Sequence, residues 1–424
     1  MAVGGLKSWT IYEGNAQRST HLRRACGVAT APMRPGPIKP LELNVERWAL
    51  ARECFGVERC PLKTQTGNPA LIKFIRDQIR NRGPVSFAWF MEQALYHPEH
   101  GYYSSGRSAI GRKGDYFTNV SVGPLFGQLM LAQFAEIWEQ LGKANGFVIV
   151  EQGAHDGLFA RDVLEASQER TPEFFEALRY RIIEPFPILR KRQSRMLEPF
   201  RNKIEWRNSL EPFTGIHFSN ELLDAMPVRL IAGDMEKLVD LQGDEFVFIE
   251  RPLSSMTFNE AALTWVDSIA ANLQRGYVIA IDYGYSGGEF QGAIQVRARH
   301  RHLDSPSEQI GHADITMHVD WTSIARRAEA NGLRVAGFTD QHHFLTGIIS
   351  ELGSGGLSEP PAGDWGQSPL PDSPKTKRAL QTLLHPEMLG RAFQVLVLAK
   401  NVDPQRGRLA GFKFARDERS VLGL

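Results

Sequence analysis

From about residue 147 onward, short uninterrupted apolar runs alternate with longer amphipathic segments, and no other feature of the sequence restricts the fold as much. Phe147 to Val150, Tyr180 to Ile183, Ile216 to Ser219, Tyr277 to Ile281 and Phe393 to Ala399 lack the in-out alternation of a half-exposed strand. Such runs belong to strands covered on both faces. Between them, Leu158 to Ala166 and Ile188 to Leu197 carry apolar residues at helical spacing. Strand and helix in turn predict an α/β fold: a Rossmann-like, doubly wound, mostly parallel sheet.

The flanking segments differ in texture. Leu71, Ile72, Phe74, Ile75 and Ile79 repeat at helical spacing from Asn68 until Gly83-Pro84 stops the pattern. Ser86 can cap a second helix running to Tyr96, and Pro124 opens a third that ends near Gly142. Residues 63–145 are therefore expected to form an N-terminal helical cap and lid, followed by a nucleotide-binding domain over 146–400. Two accessory insertions are expected in it. The first, 227–260, contains a β-hairpin at Lys237 to Arg251 broken by Gly243-Asp244. The second, 340–390, contains the Gly-, Ser- and Pro-rich stretch from Gly353 to Pro374. Residues 401–424 read as a C-terminal tail.

With 49 basic against 48 acidic residues, the 424-residue chain has no global field to gather nucleic acid or anionic lipid, so neither is expected as a partner. No apolar run approaches the roughly 18 residues needed to span a bilayer. Cys26, Cys54 and Cys60 show no metal-ligand spacing and suit a reducing compartment, so no metal is assigned. The first 41 residues carry six Lys or Arg against the single acid Glu13, with four prolines. That extension, taken as 1–62, reads as a disordered arm of a cytoplasmic chain or as a transit peptide into the mitochondrial matrix. A homodimer is compatible with the sequence.

Glu151-Gln-Gly153-Ala-His155-Asp156-Gly157 sits where the first buried strand turns into its helix, the place where open α/β sheets bind ligands. Gly153 permits a tight turn and close ligand approach, and Gly157 lets the helix begin against the strand. Asp156 and Glu151 would meet a ligand carrying positive charge. Glu184 ends the next strand, where a carboxylate can accept both hydroxyls of a ribose. Together these tips fit a nucleoside. The dinucleotide fingerprint G-x-G-x-x-G would need a middle glycine where this chain has His155, which turns the reading away from dehydrogenases.

Several uncommon stretches then occur in one order: Gly83-Pro-Val-Ser-Phe-Ala-Trp-Phe-Met91, Ala94-Leu-Tyr-His-Pro-Glu-His-Gly-Tyr-Tyr103, Gly114-Asp115-Tyr-Phe-Thr118 and Phe126-Gly127. Asn220-Glu221-Leu-Leu-Asp224-Ala-Met-Pro227-Val228, Asp282-Tyr283-Gly284 and Asp314-Ile-Thr316-Met-His318-Val-Asp320 follow. From about Leu71 to Lys400 the chain resembles the MidA-type methyltransferases, a family that includes a mitochondrial complex I assembly factor that methylates arginine. The resemblance implies a class I methyltransferase fold with S-adenosyl-L-methionine as cofactor. It implies that Glu151, Gly153, Asp156, Gly157 and Glu184, with Thr118 and Asn220, bind the cofactor. It also implies that the Gly114-Asp115 segment folds over the cofactor and that the Asn220-Glu221 tip faces the substrate. The chain departs from the family at Ala154-His155, where glycine or proline is usual, and at Asn119-Val120-Ser121, where Ser-Pro-Glu is usual.

Methyl transfer from a sulfonium is an in-line displacement that needs alignment and a water-poor pocket rather than a covalent nucleophile. Tyr102, Tyr103, Tyr116 and Phe117 are candidates for an aromatic lid. A guanidinium acceptor on a protein substrate needs carboxylates to dock it, and Glu221 and Asp224 are the candidate catalytic acids. Asp224 can instead cap or pair structurally. A small-molecule O- or N-methyltransferase, and an assembly or scaffold protein that keeps the fold without the chemistry, are the competing readings. Asp282 either lines the pocket or turns the chain, His318 reads as a packed histidine, and His342-His343 lacks metal-ligand partners.

Overall fold

The apolar runs become the strands of one sheet, numbered here in chain order as β1 (Phe147–Gln152), β2 (Leu178–Ile183), β3 (Ile204–Arg207), β4 (Phe213–Asn220), β5 (Leu273–Tyr285), β6 (Arg334–Asp340) and β7 (Phe393–Lys400). Their spatial order is β3-β2-β1-β4-β5-β7-β6, with Val319–Asp320 pairing alongside the end of β5. Neighbours from β3 through β5 are parallel, while β7 runs antiparallel to both β5 and β6. The structure, a computed structural model, describes residues 59–61, 65–107, 118–255, 257–287, 294–299, 301–353, 373–403, 405 and 407–424. All of them fall in the unit Glu58–Leu424. The expected features of residues 1–58, the Gly114-Asp115 segment and most of the Gly-, Ser- and Pro-rich excursion lie outside the described residues.

Alternate residues of β1 explain why the runs show no in-out pattern. Phe147 and Ile149 pack with Phe134 of helix Leu125–Gln140 and Phe159 of helix Leu158–Arg170. Val148 and Val150 pack with Val266 of helix Glu260–Asn272 and Ile324 of helix Trp321–Ala330. The sheet is thus helix-covered on both faces. Residues after Lys400 join the same packing. Phe412 and Leu422 are buried, and the Ala410 and Gly411 N–H groups donate to Glu136 and Gln133.

A second, five-stranded sheet contains the expected hairpin as Met235–Gln242 and Glu245–Pro252. Helices Pro69–Arg82 and Phe87–Tyr96 cover it, joining Leu71, Ile75, Phe87 and Phe90 to Val239 and Phe246. Asn68 and Ser86 cap these helices by accepting N–H bonds from Leu71 and Trp89. A third sheet, invisible to the sequence patterns, joins Gln295–Ala298, Arg301–Leu303 and Asp314–Thr316. Val296 and Ile315 are buried in the core next to the covering helices. The alternate residues Gln295, Arg297, Asp314 and Thr316 therefore share the opposite face.

Register places the site. Gln152 lies level with Ile183 and Ser219, and Asn220 with Ile281, so the carboxyl ends of β1, β2, β4 and β5 form one row. The strand order reverses between β1 and β4, the switch point where open α/β sheets bind ligands.

Candidate active site

The loop after β1 is shaped by backbone geometry. Gly153 and Gly157 have φ of 82° and 83°, a region that favours glycine. A Cβ on Gly157 would also lie 3.3 Å from Leu197 Cδ1 and 3.5 Å from the Gln193 backbone. His155 adopts φ 45° without being glycine, a strained conformation of the kind that collects at functional sites. Beside the loop, Glu184 is buried, its Oε1 accepting from the Phe186 N–H at 3.0 Å and its Oε2 from Gln193 Nε2 at 3.0 Å. Burial pushes its carboxyl up, against the pull of those two donors.

Gln193 is the residue the sequence reading missed. Fully buried, its Nε2 also donates to the His155 carbonyl at 2.9 Å, and its Oε1 accepts from Trp206 Nε1 at 3.0 Å. One amide therefore ties the loop, Glu184 and β3 together. A signal was present: Gln193 stands four positions after buried Leu189 on helix Pro187–Met196, a polar residue on an apolar stripe.

The loop acids diverge. Asp156 is held below the usual carboxylate range by His155, whose Nδ1 lies 3.4 Å away, and by Arg192 at 3.3 Å. Arg192 also donates to the Gly106 carbonyl, joining the end of the helical segment to the loop. Glu151 is buried on the same strand face as Ile149 and accepts the Tyr180 hydroxyl at 2.8 Å. Burial pushes it up to about 8.

At the tip of β4, Asn119 Nδ2 donates to Asn220 Oδ1 at 2.9 Å, and Asn220 Nδ2 donates to Glu221 Oε1 at 2.8 Å. The Asn119 backbone N–H reaches the same Oε1 at 3.3 Å. Thr118 is buried beside them in an exchange with Ser121. Asp115, Tyr116 and Phe117 lie outside the described residues. Glu221 has φ 54°, and its N–H is tied to the Ile281 carbonyl at 2.9 Å. Burial pushes its carboxyl up to about 8, with Asp282 and Asp314 adding to the shift.

Asp282 turns the chain rather than lining the pocket. Its Oδ2 accepts from the N–H groups of Leu222, Leu223 and Asp224, at 2.8 to 3.1 Å, and its Oδ1 from Tyr283 N–H at 2.8 Å. Burial pushes it up to about 7, against the pull of these four donors. Asp224, beside it, is pushed well above the usual range, first by burial and then by Asp282 and Asp314. Four N–H donors favour the charged form, so Asp282 is the ionised member and Asp224 carries the proton.

Glu221 and Asp224 meet Asp314, Tyr103, Tyr283 and Arg297 around a cavity of about 220 Å³. The Tyr103 hydroxyl donates to Asp314 Oδ1 at 2.6 Å. Arg297 lies opposite Asp314 in register and donates to Gln295 Oε1 at 2.6 Å. His318 also lines the cavity, beside Gln295, and burial pushes it down toward the neutral form. The structure thus places Glu221 and Asp224 on one cavity, with Asp314 from the third sheet. Among the described residues no group of three or more His, Cys, Asp or Glu could hold a metal ion. The cavity is acidic and rimmed by aromatic rings, suited to an organic cation.

The donor side fits S-adenosyl-L-methionine on its own features. Glu184 offers a carboxylate at the β2 tip, Gly153 leaves open backbone at the β1 tip, and the fully buried Asn119 Oδ1 has no partner and can accept a ligand N–H.

Comparison with known proteins agrees. Residues 129–339 match the model of a family described as S-adenosyl-L-methionine-dependent methyltransferases. The chain is 26% identical to the Drosophila melanogaster homolog of the mitochondrial protein arginine methyltransferase NDUFAF7, over 68% of this chain and 77% of that one. The Danio rerio protein of that name is also 26% identical, over 67% of this chain and 78% of its own. A Burkholderia thailandensis protein solved with S-adenosyl-homocysteine bound superposes with a TM-score of 0.71 at 28% identity, covering 84% of this chain and 98% of its own. The sheet is accordingly that of a class I methyltransferase, and the cofactor is S-adenosyl-L-methionine. The curated relatives are named as mitochondrial, which lends no support to a cytoplasmic placement. Fold, cofactor site and relatives converge: this chain belongs to the MidA-like family of S-adenosyl-L-methionine-dependent methyltransferases.

Proposed function

We propose that this methyltransferase acts on a guanidinium nitrogen of a protein arginine, inside mitochondria. The observation that carries the reading is the cavity at the β4 tip, where Glu221, Asp224 and Asp314 converge beside two tyrosines. Planar guanidinium, always charged, is matched by carboxylates in pairs and stacks on aromatic rings. The names of the curated relatives and the basic composition of the first 41 residues support the same reading.

In this scheme Glu184, Gly153, Asp156, Gly157, Thr118 and Asn220 hold the methyl donor, with Glu151 supporting the strand tip from within. When bound, the sulfonium supplies an electrophilic methyl carbon. Glu221 and Asp314 would hold the guanidinium in the cavity. Transfer would form an N–C bond as the donor's S–CH3 bond breaks and S-adenosyl-homocysteine leaves, so the guanidinium nitrogen would have to lose a proton. Glu221, pushed up to about 8, is matched to accept that proton near neutral pH. Tyr103 and Tyr283 restrict water around the reacting groups.

The test is product identification. Mitochondrial protein incubated with enzyme and isotopically labelled S-adenosyl-L-methionine, then hydrolysed to amino acids, should yield labelled methylarginine. Label found only in small molecules would replace the protein acceptor with a cationic metabolite. No label in either fraction, from an enzyme that binds the donor, would leave the scaffold reading.

A further inference from the structure

An amide side chain has a donating end and an accepting end, and which way it points decides what it does to a neighbouring charge. Asn220 spends its Oδ1 on Asn119 Nδ2, at 2.9 Å, so its own Nδ2 faces Glu221 Oε1, at 2.8 Å. Turned over, Asn220 would set a carbonyl oxygen against the carboxylate. Asn119 prevents this because its amide nitrogen can only donate. Asn119 is fully buried, and its backbone N–H reaches the same Glu221 oxygen at 3.3 Å. Oε1 is thereby occupied by two donors, which leaves Oε2 for the cavity.

The surroundings show why such an arrangement is needed. Asp282, on β5, and Asp314, on the third sheet, oppose the ionisation of Glu221, and Asp224, in the loop after β4, carries a proton beside them. Tyr283 and His318 border the same cavity in neutral form, and Arg297 is the cation on its wall.

We propose that Asn119 and Asn220 act in series as a hydrogen-bond relay that aims an N–H at Glu221, keeps it able to ionise, and holds its second oxygen on the acceptor cavity. Asn119 is a positioning residue: it acts on Glu221 through Asn220. The inference rests on Glu221 being the acid that docks the acceptor.

Titrating Glu221 directly keeps the two claims separable. Glutamate ¹³Cδ resonances of the full chain are followed between pH 5 and 10, with Glu221 assigned as the signal missing from Glu221→Gln. Asn119→Ser puts a hydroxyl one bond from Cβ, too short to reach Asn220, and keeps a small polar side chain at a buried position. The relay predicts that Asn119→Ser moves the Glu221 midpoint upward by about one to two pH units, the effect of losing a donor to a charged group. Asn220→Ala should move it at least as far, and the double variant no further than Asn220→Ala alone. A midpoint unmoved by Asn119→Ser, or shifts that add in the double variant, would overturn the relay. Undiminished methyl transfer by Glu221→Gln would instead remove the premise about the acceptor acid, whatever the titration shows.

Discussion

The donor and acceptor ends of the site both use carboxylates, held in opposite ways. At the donor end Glu184 has a hydrogen-bond donor on each oxygen, and Asp156 has His155 and Arg192 beside it. At the acceptor end Glu221, Asp224 and Asp314 crowd one small cavity whose wall carries Arg297 as counter-charge. A satisfied carboxylate presents a fixed shape to a ligand. A crowded one is paid for only when a cation arrives, so its energy goes into recognising the acceptor. The donor end should therefore govern cofactor affinity, and the acceptor end transfer and its pH dependence.

The largest break in that contrast should come from Glu221→Gln. Methyl transfer is expected to fall about 100- to 1,000-fold, measured with labelled cofactor, while cofactor affinity by calorimetry stays within about threefold. The pH profile sharpens the same point. Below the Glu221 value of about 8, wild-type transfer should rise about tenfold per pH unit, and Glu221→Gln should lose that slope. Stability should run the other way. Because the folded value lies above the ordinary 4.5, the folded chain binds the proton more tightly, so stability is lost as pH rises from about 4.5 through about 8. Thermal denaturation at pH 6 and pH 9 should show a smaller loss for Glu221→Gln.

Gln193→Ala tests the donor end from beneath. Removing the amide strips a donor from Glu184 and from the His155 carbonyl and orphans Trp206 Nε1. It should destabilise the fold by about 1–3 kcal/mol and weaken cofactor binding by about threefold to tenfold, with transfer at saturating cofactor nearly preserved. The smallest effect belongs to Arg192→Ala. Its partly exposed pair with Asp156 is worth about 1 kcal/mol at most, so cofactor affinity should change by less than about fivefold, and less still in high salt.

The two ends also differ in how far the sequence disclosed them. The donor loop is contiguous, lies at a strand tip and is marked by Gly153 and Gly157, so pattern and position suffice. The acceptor cavity takes Tyr103, Glu221, Tyr283 and Asp314 from four separated segments. Asp314 enters through a sheet of strands three or four residues long, too short for alternation to register. Its place opposite Arg297 is a matter of pairing register. β3 escaped notice because Ile204–Arg207 is a four-residue edge strand, and β6 because a bulge at Ala336, beside Gly337, interrupts it. The antiparallel direction of β7 leaves no trace in an apolar run.

The division of labour between the two ends is tested most directly by measuring cofactor affinity and methyl transfer side by side for Glu184→Ala and Glu221→Gln. The account predicts a crossed result: Glu184→Ala weakens cofactor binding by about tenfold to 100-fold yet transfers methyl groups when saturated, whereas Glu221→Gln binds the cofactor and barely transfers. Two variants that lose binding and transfer in equal proportion, or a Glu221→Gln that transfers as wild type does, would contradict it.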